Sequence, residues 1–207
     1  MAQRWTTIEK QLREQYGHNL AGMDEVGRGP LAGPVVACAI IMPAGVRAIR
    51  GVDDSKQLSA AVRECLAQRI RERAVCLGLG AASPREIDRI NIYQATALAM
   101  RRAVASLGVA PDHLVLDGKP MRPLTTPHTA VVGGDGKCYS VACASIVAKV
   151  ARDRLMTRLA VRYPEYGWDH NAGYATAFHL AAIASHGVTP HHRASFCTKQ
   201  LSFDFLG

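Results

Sequence analysis

The sequence predicts an α/β domain followed by a small, mostly helical C-terminal extension, and three features predict it. Short apolar runs of strand length alternate with longer segments of helical periodicity. Gly, Pro and Ser residues punctuate the boundaries between them. After Pro164 the chain turns polar and His-rich and shows no further strand-like run. The division falls at residues 1–155 for the α/β domain and 156–207 for the extension.

The elements follow in order. Residues 1–16 are charged and read as a short helix with Thr6 and Glu9 as its capping box. Ala21 to Glu25 is a short strand. Val35 to Met42 is a continuous apolar run ended by Pro43, so the two form neighbouring strands around the Gly27 to Pro34 turn. From Ser59 the apolar positions Val62, Leu66 and Ile70 recur every four residues, a helical stripe that Ser59 caps. Ala74 to Ala82 is apolar and Gly-punctuated, hence another strand. Ser83-Pro84-Arg85-Glu86 is a capping box with Pro at the first helical position. Asn91 to Leu107, rich in Ala, Leu and Met, is the clearest helix, and Gly108 closes it. Two strands end at Asp117 and near Gly133, and a long helix runs from about Ser140 to Arg162. A last helical piece spans Thr176 to His186, before an aromatic tail at Phe203 and Phe205.

Bulk composition bounds the function. The 207 residues suffice for one ordinary domain with a modest appendage. A hydrophobic content of 48% with 20% charged residues belongs to a globular chain, not a disordered one. Lys plus Arg number 25 against 17 Asp plus Glu, a net charge of +8 that favours an anionic partner, nucleic acid being the commonest. The six cysteines show no zinc-type pairing, and no signal peptide is evident. Reduced thiols and a cytoplasmic protein are therefore expected. No charge-free apolar stretch reaches the roughly 18 residues a membrane span requires.

Four acids carry the chemistry. Asp24 and Glu25 follow Ala21-Gly22-Met23, Asp117 ends the run from His113, and Asp135 follows Gly133-Gly134. Carboxylates at the ends of neighbouring strands converge, and magnesium or manganese is a hard ion that takes oxygen ligands. Two such ions about 3.5–4 Å apart activate a water and stabilise a leaving oxygen in an in-line displacement at phosphorus. Taken singly, each acid reads as a turn residue or a surface charge, Asp-Gly being ordinary turn chemistry. Adjacent strand residues point to opposite faces, so Asp24 and Glu25 reach one ion only if the strand twists, or if one contributes through its backbone carbonyl.

Polar elements surround these acids. Gly27-Arg28-Gly29 lets the backbone approach a ligand closely, with Arg28 free to hold a phosphate; alone it is a plain tight turn. Asp54-Ser55-Lys56 offers donors to a nucleic-acid backbone, although such a triplet is more often a solvated loop. Ser145 and Lys149 lie four apart on one face of the long helix. Lys149 there either contacts phosphate and balances the acids or is an ion-paired surface lysine. Tyr166 to Tyr174 is a Gly-broken aromatic loop whose rings either stack on bases or pack the loop onto the core. The eight histidines lack the companions of a His metal site and read as surface or packing residues.

Ala21-Gly22-Met23-Asp24-Glu25-Val26-Gly27-Arg28-Gly29-Pro30-Leu31-Ala32-Gly33-Pro34-Val35-Val36-Ala37 resembles the signature segment of the bacterial ribonuclease HII family, the type 2 ribonucleases H. The resemblance continues in order through Asp54-Ser55-Lys56, Asn91-Ile92, Leu116-Asp117-Gly118, Ala144 to Val150 and Arg152-Asp153. It extends to Gly173-Tyr174-Ala175-Thr176 and His192 to Phe196. It implies a ribonuclease H-like fold, a five-stranded mixed sheet flanked by helices with a small helical C-terminal region that binds substrate. It implies an endonuclease that cuts the RNA strand of RNA–DNA hybrids and incises 5′ of single ribonucleotides embedded in duplex DNA, leaving 3′-hydroxyl and 5′-phosphate ends. The family's four metal-binding acids fall on Asp24, Glu25, Asp117 and Asp135, with two Mn2+ or Mg2+ ions as cofactors. Its ribose-sensing element falls on Gly27, Arg28 and Gly29, and its junction-stacking tyrosine on Tyr174. Ser55, Lys56, Ser145 and Lys149 complete the expected substrate-binding set.

The chain departs from the family pattern in places. Asn171-Ala172 stands where many relatives have His-Lys, and Gly133 where a lysine is common. Lys56-Gln57 replaces a frequent lysine pair. Rival readings are a ribonuclease HIII-like hybrid nuclease, a non-catalytic hybrid-binding protein and a phosphotransferase. The position and identity of the acids weaken the first, their completeness the second, and the lack of a Gly-x-x-x-x-Gly-Lys loop the third. The tail from Gln200 to Phe205 has the character of sliding-clamp-binding peptides, although such tails more often pack on their own fold. A monomer is expected.

Overall fold

Which apolar runs pair, and in which direction, follows from how they are joined. The computed structural model describes residues 7–198. Strands β1 (Leu20–Val26), β2 (Val35–Ile41), β3 (Cys76–Ala82), β4 (His113–Asp117) and β5 (His128–Val131) form one sheet in the order β3-β2-β1-β4-β5. The turn at residues 27–34 returns the chain directly, so β1 and β2 are antiparallel, as are β2 and β3. Between β3 and β4 the chain crosses over through a helix, and β1–β4 and β4–β5 are parallel. The mixed five-stranded sheet expected from the resemblance is present.

Helices α1 (Thr7–Tyr16), α2 (Ala60–Arg73), α3 (Pro84–Ala105), α4 (Tyr139–Arg162), α5 (Trp168–Asn171) and α6 (Ala177–His186) surround it. On one face Ala21, Met23, Ala37 and Ala39 pack against Ala95, Ala99 and Met100 of α3. On the other, Cys38 and Ile40 meet Leu66 and Ile70 of α2 and Ala144 and Ile146 of α4. Small residues let α4 ride close on β1: a Cβ on Gly22 would lie 2.3 Å from the backbone carbon of Ser140. The alternation of faces along β1 therefore puts Asp24 on the α4 side.

Two helix starts behave as the sequence predicts. Ser83 and Glu86 close a reciprocal capping box, and the Ser59 hydroxyl accepts from the Val62 amide. α3 kinks at Asn91 (φ 64°), whose side chain accepts from the Gln94 amide and starts a second helical segment. Glu9 has a partner that local spacing does not reveal. Thr6 lies outside the described residues, and the Glu9 carboxylate is bonded to the start of α4, accepting from the Tyr139 and Ser140 amides and the Ser140 hydroxyl. Cys138, at the N-cap of α4, supplies no side-chain bond, so those buried amides need a distant acceptor.

The expected boundary at 155 falls inside α4, which continues to Arg162. The C-terminal elements pack around its second half, with Met156, Trp168 and Ile183 gathered on Leu31 and Ala32 of the 27–34 turn. All six cysteines are free thiols. Among the described residues no helix is long and apolar enough to cross a membrane. The tail from Gln200 to Phe205 lies outside the described residues.

Candidate active site

The acids stand where the parallel strands end. β1 stays in register through Val26, so Asp24 and Glu25 keep alternate strand positions. Asp24 is buried and accepts from the Glu25 amide at 2.8 Å and from the Ser145 hydroxyl of α4. Glu25 carries its longer side chain to Arg28, 3.1 Å away. Asp117 closes β4 and accepts from the Gly134 amide at 2.7 Å. That bond pins the short 3-10 turn Gly134–Gly136, and with it Asp135, over the end of β4.

Electrostatics ties the four together. Burial first, then the charge of Glu25 and also that of Asp117, pushes the Asp24 carboxyl up to about 8, against the Ser145 bond. Burial raises Glu25, with Arg28 opposing and Asp117 adding to it. Burial also raises Asp135, and Asp117 and Asp54 add to it while Lys56 opposes. Asp117 thus acts on each of the other three. Burial works against the Lys56 charge, yet Asp135, Asp54, Asp24 and Asp117 together hold it above the usual lysine range. Its ammonium lies 3.7 Å from Asp135.

An all-oxygen donor set under mutual repulsion has the chemistry of a hard divalent cation site. As they stand the carboxylates are spread: among the described residues no three His, Cys, Asp or Glu side chains close around one point. Arg28 and Lys56 supply positive charge to two of them instead. The donor chemistry fits magnesium or manganese.

The polar residues around the acids divide into two groups. The Ser55 and Ser145 hydroxyls are bonded at 2.9 Å, linking the 54–56 loop through Ser145 to Asp24. Lys149 lies elsewhere: its ammonium is held 2.8 Å from Asp153, one turn along α4, and Arg63 approaches the same carboxylate. It does not balance the four acids.

The turn at residues 27–34 is held from behind. Gly27 has φ 88°, and a Cβ there would lie 2.2 Å from the Arg152 side chain. Arg152 is fully buried and donates to the carbonyls of Ala32, Pro34 and Ala172. Arg193, equally buried, donates to the carbonyls of Gly27, Arg28 and Gly33. The Leu31 amide donates to Gly173, and the Arg193 amide to Leu31. Sequence reasoning gave these two arginines no role. Their signal was present only as the Arg-Asp and His-Arg pairs at 152–153 and 192–193.

The aromatic loop splits in function. Trp168 and Tyr166 are buried, whereas Tyr174 is 46% exposed with its ring 3.7 Å from where a Gly29 Cβ would stand. Trp168 donates to Nε2 of His179 at 3.0 Å. His179 Nε2 also faces His192 Nε2 at 3.1 Å, and its Nδ1 faces the Tyr174 carbonyl at 2.9 Å. The bonding pattern assigns the His179 proton to Nδ1 and the His192 proton to Nε2, both rings neutral. Burial depresses both, His192 to about 4 with the His179 charge adding. Both are packing histidines, as the sequence suggested. Asn171, at the first departure from the family pattern, uses its side chain within the loop, bonding the Tyr166 carbonyl and the Gly173 amide.

A mixed five-stranded sheet flanked by helices, with Asp24, Glu25, Asp117 and Asp135 interacting near the ends of its parallel strands, has the architecture of the ribonuclease H-like class. The family model described as ribonuclease HII matches residues 21–199. The ribonuclease HII of Rhodospirillum rubrum is 56% identical over 190 residues, covering 89% of this chain and 87% of that protein. Among solved structures, the ribonuclease H2 of Pyrococcus horikoshii superposes with a TM-score of 0.73 at 27% identity, over 87% of this chain and 95% of that one. The ribonuclease HII of Archaeoglobus fulgidus, solved in complex with PCNA, gives 0.71 at 27% identity, over 86% and 94%. The chain belongs to the ribonuclease HII family, type 2 ribonuclease H endonucleases that cleave RNA in RNA–DNA hybrids.

Proposed function

We propose that this enzyme also incises duplex DNA 5′ of a single embedded ribonucleotide, the first step of ribonucleotide removal. One observation carries the reading: the Gly27–Gly29 turn lies directly after Asp24 and Glu25, with the half-exposed Tyr174 ring against Gly29. A ribose recognised at that turn has its phosphodiester beside the acids, and the 2′-hydroxyl is what separates RNA from DNA. Tyr174 offers a stacking face for the sugar on the 3′ side of the junction.

In this reading Asp24, Glu25, Asp117 and Asp135 hold the cations. Two magnesium or manganese ions, when bound, supply the Lewis acidity that activates water and stabilises the departing 3′-oxygen, leaving 3′-hydroxyl and 5′-phosphate ends. Ser145 orients the Asp24 carboxylate, and Ser55 orients Ser145. Arg28 and Lys56 already approach the acids and exchange those contacts for substrate phosphates. Lys149 serves the duplex backbone from the groove it shares with Arg63 and Arg154, and Arg158 and His170 of the C-terminal extension continue that binding surface. The free thiols fit a cytoplasmic enzyme, and a monomer is the state proposed for it. A sliding-clamp contact through Gln200 to Phe205 is a lesser part of the reading, supported by the complex known for the Archaeoglobus relative.

The test is a labelled duplex with one ribonucleotide, incubated with manganese, magnesium or chelator, and the cut mapped. A metal-dependent nick 5′ of the ribonucleotide is expected. Cleavage of a long hybrid without that nick would mean specificity of the ribonuclease HIII kind.

A further inference from the structure

The Gly27–Gly29 turn has no side chain of its own, apart from exposed Arg28, with which to read a ribose. Its backbone is held by one residue from the far end of the chain. Arg193 donates from Nη2 to the Gly27 carbonyl at 2.5 Å and from Nη1 to the Arg28 carbonyl at 2.9 Å. Its Nε and Nη2 reach Gly33 at 3.0 and 2.8 Å, closing the base of the same turn. The side chain is fully buried, so this planar fork has a fixed geometry.

The peptide bond turns that clamp into a statement about the opposite side. All peptides described here are trans, and in a trans peptide the C=O and the following N–H point in opposite directions. With the Gly27 and Arg28 carbonyls drawn towards Arg193, the amides of Arg28 and Gly29 face away from it. Neither donates to an acceptor among the described residues. The Gly29 side of the turn is the one the Tyr174 ring approaches.

We propose that Arg193 is the positioning residue for ribose discrimination: its fork presents the Arg28 and Gly29 amides as an oriented pair of donors to the ribose 2′-hydroxyl. This rests on the reading of the turn as a ribose sensor. Arg193 acts through the backbone and touches no substrate. A lysine cannot replace it, because one ammonium on a flexible stem cannot hold three carbonyls in a planar array.

The experiment measures the affinity of wild type and Arg193→Lys, in chelator so that no strand is cut, for a duplex with one ribonucleotide and for its all-deoxy twin. Circular dichroism checks that the variant is folded. The ribonucleotide preference is expected to fall by about tenfold or more in the variant, with a much smaller change in all-deoxy affinity. Equal losses on both duplexes, or a retained preference, overturn the positioning role. A wild-type preference near one instead sinks the ribose-sensor reading itself, and the inference with it. Should Arg193→Lys not fold, hydrogen exchange of the wild type decides. Protection of the Arg28 and Gly29 amides by the ribonucleotide duplex but not by its twin supports the role, and equal protection overturns it.

Discussion

The carboxylate site and the arginine clamp stand on either side of one turn and treat buried charge in opposite ways. At Asp24 a carboxyl is buried beside other acids with few donors, and its pKa rises to about 8. At Arg152 and Arg193 two cations are buried more completely, yet between them they reach six carbonyls. An unsatisfied charge waits for a ligand, whereas a satisfied one acts as a strut. The strained side is therefore expected to carry the chemistry and the satisfied side the stability.

Substitutions can break that division. The largest expected effect is Asp117→Asn, which removes the acid that acts on the other three. Hybrid turnover should fall by about a thousandfold, the equivalent of several kcal/mol of lost charge stabilisation, while hybrid affinity in chelator persists. Steady-state kinetics with a binding titration checks it, and unchanged turnover would sink the site assignment. Arg152→Met should do the reverse, leaving buried carbonyls unpaired at a cost of about 3–5 kcal/mol and lowering the melting temperature by roughly 10 °C. A melt within a degree or two of wild type would show that Arg152 is no strut.

Asp24 and His192, a buried acid and a buried base, also predict pH slopes of opposite sign. Asp24 has a folded pKa above its unfolded value of 3.8, so its contribution is present below 3.8 and lost as pH rises through about 8. Asp24→Asn should stabilise the metal-free protein at alkaline pH by about 2 kcal/mol while abolishing cleavage. His192 has a folded pKa of about 4, below its unfolded 6.5, so its contribution is present above 6.5 and lost as pH falls towards 4. That loss should be on the order of 2 kcal/mol, and His192→Gln should flatten it. Urea titrations across pH measure both, and slopes of one sign would contradict the opposed shifts of Asp24 and His192. The smallest effect is Tyr174→Ala, expected to slow single-ribonucleotide incision by about tenfold while affecting long hybrids less, consistent with one lost stacking face. Equal losses on both substrates would remove its junction role.

Much of this was legible because the signals are local. Helix starts at Ser59, Ser83 and Asn91 each need only a side-chain oxygen a few residues from the amide it accepts. The placing of Asp24 and Asp117 at or near strand ends follows from apolar runs broken by glycine. At Glu9 the local rule gave no hint of the distant partner, because its carboxylate serves α4, 130 residues away. At Lys149 the local rule held: of its two readings the ion pair is the one present, with an acid four residues on, not the carboxylate cluster, as the partner.

The sequence by itself determined the α/β order of elements, the four acids and the Gly-Arg-Gly turn beside them, because side-chain type and spacing encode all three. Only the tertiary structure decided that Ser55 and Ser145 form one relay to Asp24, that Tyr174 faces Gly29, and that Arg152 and Arg193 hold the turn from behind. The physical reason lies in the acceptors. The arginines bond backbone carbonyls up to 166 residues distant. Every residue has a carbonyl, so the receiving end of such a bond leaves no mark on the sequence.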